Sequence, residues 1–150
     1  MPQSYSSLNT HIIFGTKDRA EMIGADLQPR LHEYIGGIFR DEGCHLLAAG
    51  GMPDHIHLLV SLSRELSVAE TMRIVKASSS RWIHETFPAR AGFAWQSGYA
   101  AFAVSLSNLA SVKRYIDGQA EHHRTRSYKE ELIEFLKRHE IAYDERYLCE

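Results

Sequence analysis

The chain has 150 residues, 44% of them hydrophobic, which is enough for one domain with a real core and too many for a disordered chain. No stretch approaches the roughly 18 to 20 unbroken apolar residues of a membrane span, and Met1–Ser7 is polar where a secretory leader would be apolar; residues 1–150 are therefore expected to form a single cytoplasmic domain with no membrane contact. A formal charge of −2 excludes a protein that coats nucleic acid nonspecifically, and the two cysteines, Cys44 and Cys149, have neither disulfide-framework density nor metal-ligand spacing.

Residues 5–17 alternate Leu8, Thr10, Ile12 and Phe14 against Asn9, His11 and Ile13, the pattern of a strand with two different faces. Asp26 is placed to cap a helix over about residues 27–42: Pro29 sits in its first turn, Leu27, Leu31, Tyr34, Ile35 and Ile38 recur at helical spacing, and Gly43 stops it. Residues 44–49 and 55–62 are short apolar runs joined by Gly50, Gly51, Met52, Pro53 and Asp54, which predicts an antiparallel hairpin. Ser67 with Glu70 forms a capping box for a second helix running to about Thr86, ahead of Pro88. Residues 93–95 and 99–104, on either side of Gly98, predict a further extended segment. Ser107 caps a third helix expected to reach about His123, and Ser127 with Glu130 caps a fourth ending near His139. Strand, helix, strand, strand, helix, strand is the split βαβ repeat of ferredoxin-like, RNA-recognition-like domains; the class is α+β, an antiparallel sheet with helices on one face plus C-terminal helices.

Local charge departs from the near-neutral total. Arg64, Arg73, Lys76, Arg81 and Arg90 outnumber the three acids between residues 64 and 93, and Lys113, Arg114, Arg124, Arg126 and Lys129 outnumber two acids between 113 and 129. An acidic tail from Glu130 to Glu150 hides this basic middle, which taken alone is also compatible with ordinary solvated faces.

Two small constellations carry chemistry. His55 and His57 are two residues apart in a predicted strand, so both imidazoles point to one face and can grip one metal ion, while Ile56, Leu58 and Val60 point to the other. Tyr115 and Gln119 are four residues apart on a predicted helix and share a face beside an apolar stripe of Leu109, Val112, Ile116 and Ala120. Each pair alone has a plain structural reading as well: hydrogen-bonded histidines on a sheet, and a packing tyrosine with a wet hydroxyl.

Read with the rest of the chain, these pairs fall into a known order. The strand His11-Ile12-Ile13-Phe14 is followed by Thr16-Lys17-Asp18-Arg19, then by Gly51-Met52-Pro53-Asp54-His55-Ile56-His57-Leu58-Leu59 and Trp95-Gln96-Ser97-Gly98-Tyr99. Val104-Ser105, Val112-Lys113-Arg114-Tyr115-Ile116-Asp117-Gly118-Gln119, His122-His123 and Asp144-Glu145-Arg146-Tyr147 complete it. In these blocks, over nearly its whole length, the chain resembles the single-tyrosine HUH transposases of the insertion sequence 200/605 group. The resemblance implies that His55, His57 and Gln119 hold Mg²⁺ or Mn²⁺ and that Tyr115 is the nucleophile, cutting single-stranded DNA beside hairpins at element ends through a 5′-phosphotyrosine intermediate. It also implies a homodimer, in which the tyrosine helix of one subunit serves, in some states, the histidine pair of the other. Two neutral nitrogens and an amide oxygen do not by themselves fix the metal, and Zn²⁺ suits them too.

Arg73, Lys76, Arg81, Lys113, Arg114, Arg124 and Arg126 are the expected phosphate contacts. Trp95, Tyr99 and Phe102 are either base-stacking residues or core aromatics. Ala100 and Ala103 stand where many relatives have glycine and serine, which weakens the case for DNA contacts from that strand. The alternative from another class is a catalytically silent transposase-derived module that only binds nucleic acid. It has no need for His55, His57, Tyr115 and Gln119 together. A hydrolase using the histidine pair to activate water is a second alternative, and would survive Tyr115→Phe.

Overall fold

The computed structural model describes residues 3–119 and 126–148. Four strands, β1 (Asn9–Gly15), β2 (His45–Met52), β3 (His55–Ser61) and β4 (Ala100–Ala103), form one antiparallel sheet in the order β2-β3-β1-β4. Helices α1 (Gln28–Asp41), α2 (Val68–Thr86), α3 (Leu109–Asp117) and α4 (Tyr128–Arg138) complete the α+β, ferredoxin-like arrangement expected from the element order. Among the described residues, no helix is long and apolar enough to cross a membrane.

Alternation in the two central strands sorts side chains between two cores. Ile12 and Phe14 of β1 and Ile56, Leu58 and Val60 of β3 face one way, where Leu31, Ile35 and Phe39 of α1 and Met72, Val75 and Ile83 of α2 cover them. Fully burying each of these side chains contributes roughly 1.5–3 kcal/mol, so this layer fixes the strand register. The opposite face carries His11, Ile13, His55, His57 and Leu59. There Ile13 and Phe102 pack under Tyr128, Leu132 and Leu136 of α4, and Ala48 and Leu59 pack under Ile116 of α3. The two C-terminal helices therefore cover the face that α1 and α2 leave open.

Several boundaries differ from the sequence reading for identifiable reasons. Strand β2 continues through Gly50 and Gly51, read from sequence as part of the turn, because both pair with β3; the turn itself is only Pro53 and Asp54. Gly50 lies opposite His57, and a Cβ there would collide with the Ile116 carbonyl, so this glycine lets α3 settle onto the sheet. Asp26 does not cap α1, which begins after Leu27 with no side-chain cap; its carboxylate instead pairs with Arg90 at 2.8 Å. Gly43, at φ 77°, follows the helix in the left-handed conformation that ends it. Ser107 lies in a 3₁₀ turn, Leu106–Asn108, and α3 starts only at Leu109 and ends at Asp117, short of the expected His123. Residues 93–95 add only a single bridge, Trp95 to Thr16. The serine caps, Ser67 and Ser127, hold, each accepting from the backbone N–H three residues on, while the Glu70 carboxylate turns to Arg73 and that of Glu130 accepts from the Ser127 hydroxyl.

Candidate metal and nucleophile centre

His55 and His57 stand on β3, opposite Gly15 and Ile13 of β1, with both rings turned to the α3/α4 side and both essentially buried. Each ring is oriented from behind through its Nδ1. His55 Nδ1 lies 2.7 Å from Asp54 Oδ1, and His57 Nδ1 lies 2.8 Å from His11 Nε2. When the Nδ1 atoms carry the protons, both Nε2 lone pairs face the centre, the tautomer that metal ligation requires.

Facing them are Gln119, just past the end of α3, and Glu131 on α4, respectively 2% and 1% exposed. His55 Nε2 is 3.3 Å from Gln119 Oε1, while Glu131 Oε1 is 2.8 Å from His57 Nε2 and 3.5 Å from His55 Nε2. His55, His57 and Glu131 each present one donor atom, all within 4.8 Å of one another. Neighbouring donors around a small octahedral cation with bonds near 2.1 Å sit about 3 Å apart, so these separations fit such an ion. Two imidazole nitrogens, a carboxylate oxygen and an amide oxygen form a mixed donor set suited to Mg²⁺, Mn²⁺ or Zn²⁺.

The Tyr115 side chain reaches the same centre. Its hydroxyl donates to Glu131 Oε2, its ring centroid is 5.9 Å from that of His57, and Gln119 Nε2 donates to the same carboxylate oxygen at 3.3 Å. Burial, reinforced by the Glu131 carboxylate, holds the phenol well above its ordinary pKa, so it is protonated at neutral pH. Burial alone would push the His55 pKa down, but the Asp54 and Glu131 carboxylates outweigh it and raise it. Burial, with His57 alongside, lowers the pKa of His11 to about 3, so it is neutral. Tyr128 stacks on His55 at 4.5 Å, and the Arg19 guanidinium lies over the Tyr128 ring at 5.2 Å.

The four residues singled out from sequence, His55, His57, Tyr115 and Gln119, are thus brought together within one chain. The basic residues of α2 are not. Arg73, Lys76 and Arg81 lie on α2, across the sheet from the histidine pair. Arg73 pairs with Glu70, and Lys76, its pKa lowered by burial to about 8, donates to the carbonyls of Gln96 and Gly98. Lys113 and Arg114 are exposed on α3, and Arg126 pairs with Glu134; Arg124, like His122 and His123, lies outside the described residues. Trp95 and Phe102 are packing residues. Trp95 meets Phe14 edge-on at 4.7 Å and donates to Ser79 at 3.0 Å, while Phe102 stacks on Phe135 at 5.5 Å.

Glu131 escaped the sequence reading, although a signal was present: it shares a helical face with Tyr128, Leu132 and Phe135, where an acid is costly unless partnered.

Residues 4–119 match the family model described as "Transposase IS200 like". Among curated proteins, the ISDra2 transposase TnpA of Deinococcus radiodurans is 25% identical over 117 residues, 75% of this chain and 84% of that protein. The transposase for insertion sequence element IS200 of Salmonella typhimurium is 27% identical over 116 residues, covering 74% and 76%. Among solved structures, a proposed transposase from D. radiodurans R1 aligns with TM-score 0.64 and 25% identity, over 79% of this chain and 98% of that one. A REP-associated tyrosine transposase bound to a REP hairpin aligns with TM-score 0.61 over 82% of this chain and 73% of that one; at 15% identity it bears on fold alone.

Proposed function

This chain belongs to the IS200-like transposase family, and from that premise we propose that it cleaves and rejoins single-stranded DNA by metal-assisted attack of Tyr115 on a phosphodiester. The observation that carries this reading is the meeting of the Tyr115 hydroxyl with the buried His55, His57 and Glu131 group at one point. A divalent cation held there by His55, His57 and Gln119 would polarise the scissile phosphate and offset charge on its oxygens. Tyr115 supplies the attacking oxygen. A Tyr115 O–P bond forms as the P–O3′ bond breaks and the phenol proton is given up to the departing O3′, leaving a 5′-phosphotyrosine on the protein and a 3′-hydroxyl on the DNA. A second 3′-hydroxyl then attacks the phosphotyrosine, re-forming the phosphodiester and releasing the tyrosine, so rejoining needs no nucleotide cofactor.

The chain's own groups prepare this step. His11 and Asp54 fix the two imidazoles, and the burial of His55, His57, Gln119 and Glu131 removes these groups from bulk water, which strengthens their electrostatic contacts. The substrate proposed is a strand carrying a hairpin at an element end, and the acting species a homodimer, with Lys113, Arg114, Arg124 and Arg126 on the phosphates.

The test is incubation of labelled single-stranded hairpin DNA from the gene's own flanks with the protein and Mn²⁺, comparing wild type with Tyr115→Phe on a denaturing gel. A metal-dependent, protein-linked band absent from the variant is expected. Cleavage without an adduct, unchanged in Tyr115→Phe, refutes tyrosine attack in favour of water activation; binding without cleavage across several flank substrates leaves a silent binding module.

A further inference from the structure

We propose that Glu131 ties the nucleophile to the metal, one carboxylate oxygen completing the cation's donor set and the other holding the Tyr115 hydroxyl beside it. This rests on the metal-assisted tyrosine reading and extends it to a residue outside the family match, which ends at Gln119.

The division of the carboxylate carries the inference. Oε1 faces the imidazoles, 2.8 Å from His57 Nε2 and 3.5 Å from His55 Nε2. Oε2 faces the other way and accepts from the Tyr115 hydroxyl and, at 3.3 Å, from Gln119 Nε2. Both oxygens belong to one planar group on a side chain that is 1% exposed, so displacement of one moves the other. Gln119 is divided in the same sense, its carbonyl oxygen toward His55 and its amide nitrogen toward Glu131. A buried carboxylate is costly unless donors or cations meet both of its oxygens. This one gathers the histidine pair, the amide and the phenol at a single point.

Helix α4 explains how the residue is held. Ser127 caps it, Tyr128 one turn before Glu131 stacks on His55, and Leu132 and Leu136 anchor the same face on Ile13 and Phe102. Glu131 acts through Tyr115 and the cation, and so is a metal donor and positioning residue rather than an attacking group. Loss of its charge weakens the cation site, while loss of its acceptor oxygen frees the tyrosine. Gln at this position removes the first property and keeps the second; Ala removes both.

The test uses the full chain as wild type, Glu131→Gln, Glu131→Ala, His57→Ala and Tyr115→Phe, with thermal melts showing that each folds. Mn²⁺ binding is measured by calorimetry and by electron paramagnetic resonance without DNA, and adduct formation on hairpin DNA is followed separately in single turnover. Mn²⁺ affinity is expected to fall at least tenfold in Glu131→Gln, Glu131→Ala and His57→Ala, and to stay within about threefold in Tyr115→Phe. At saturating Mn²⁺, Glu131→Gln should recover most of the adduct rate while Glu131→Ala stays at least tenfold slow. Wild-type Mn²⁺ affinity in Glu131→Ala overturns the proposal, as does a normal adduct rate in that variant once Mn²⁺ is saturating; either leaves tyrosine attack intact. Absence of any adduct in the wild type, with Mn²⁺ affinity still dependent on Glu131, refutes tyrosine attack and with it the link to Tyr115, while upholding Glu131 as a metal donor.

Discussion

Replacing His11 by phenylalanine isolates the support behind one histidine of the proposed metal site. His11 is 2% exposed, and its Nε2 lies 2.8 Å from His57 Nδ1. Phenylalanine keeps an aromatic ring for the contacts with Phe135 at 5.0 Å and Phe102 at 6.4 Å but has no nitrogen to accept the Nδ1 proton of the ligating His57 tautomer. A buried Nδ1–H left without an acceptor costs about 1–3 kcal/mol. His57 avoids much of that cost by moving its proton to Nε2, where the Glu131 carboxylate accepts it, and that tautomer cannot ligate a cation. Recovering the ligating form then takes back the same 1–3 kcal/mol, which corresponds to a loss of roughly five- to 150-fold in cation affinity. Titration calorimetry with Mn²⁺ reads the affinity. Mn²⁺ affinity within twofold of wild type would refute the argument that His11 supports the ligating tautomer.

Four further outcomes are expected. In chelator, stability should fall as pH drops from 6.5 toward 3, because the folded pKa of His11, about 3, lies below its unfolded value and the unfolded chain takes up the extra proton. Each unit in that window costs at most about 1.4 kcal/mol for this group, and urea melts should show a shallower acid slope in His11→Phe. Leu58→Ala, in the layer under α1 and α2, should lower the unfolding free energy by about 2–5 kcal/mol in chemical denaturation. Gly50→Ala forces the Ile116 carbonyl away and with it the α3 turn that carries Tyr115; single-turnover adduct formation should fall by about 10- to 100-fold with a cooperative melt retained. Lys113→Gln with Arg114→Gln should weaken single-strand binding and reduce the slope of log affinity against log salt by about 0.7 per lost phosphate contact; Arg73→Gln with Arg81→Gln, on the opposite helical layer, gives the comparison.

The fold was legible where periodicity is strict. Ile12 and Phe14 against His11 and Ile13, and Ile56, Leu58 and Val60 against His55 and His57, state in sequence which face is core and which carries polar chemistry, because a strand has a period of two. Legibility failed where a residue's conformation depends on a partner distant in sequence. Gly50 and Gly51 read as turn residues by type, yet the β3 backbone holds them in a strand, and the smallness of Gly50 serves α3 some 66 residues later. Asp26 has the type of a helix cap, but Arg90, 64 residues away, takes its carboxylate. The apolar spacing of residues 109–120 could not show that α3 ends at Asp117, since a helix end at Gly118 is set by caps and packing rather than period.

The centre divides along the same line. His55 with His57, and Tyr115 with Gln119, are local pairs whose spacing places them on one face of a strand and one turn of a helix, so each pair can be found by type and interval. Glu131 belongs to neither interval: it is 74 residues from His57 and 12 from Gln119. What marks it is a contradiction within its own helix, an acid on the face that Tyr128, Leu132 and Phe135 make apolar. A carboxylate survives on such a face only when cations or donors meet it, so the contradiction implies a partner without naming one. Placing α4 over the sheet face left open by α1 and α2 supplies the name, because the polar groups of that face near Tyr128 are the histidine pair and what surrounds it. The same reasoning separates Glu131 from Glu130 and Glu134, which are exposed on α4: an acid in the capping box or on the solvent side needs no partner, and only the one on the apolar face must be part of the centre.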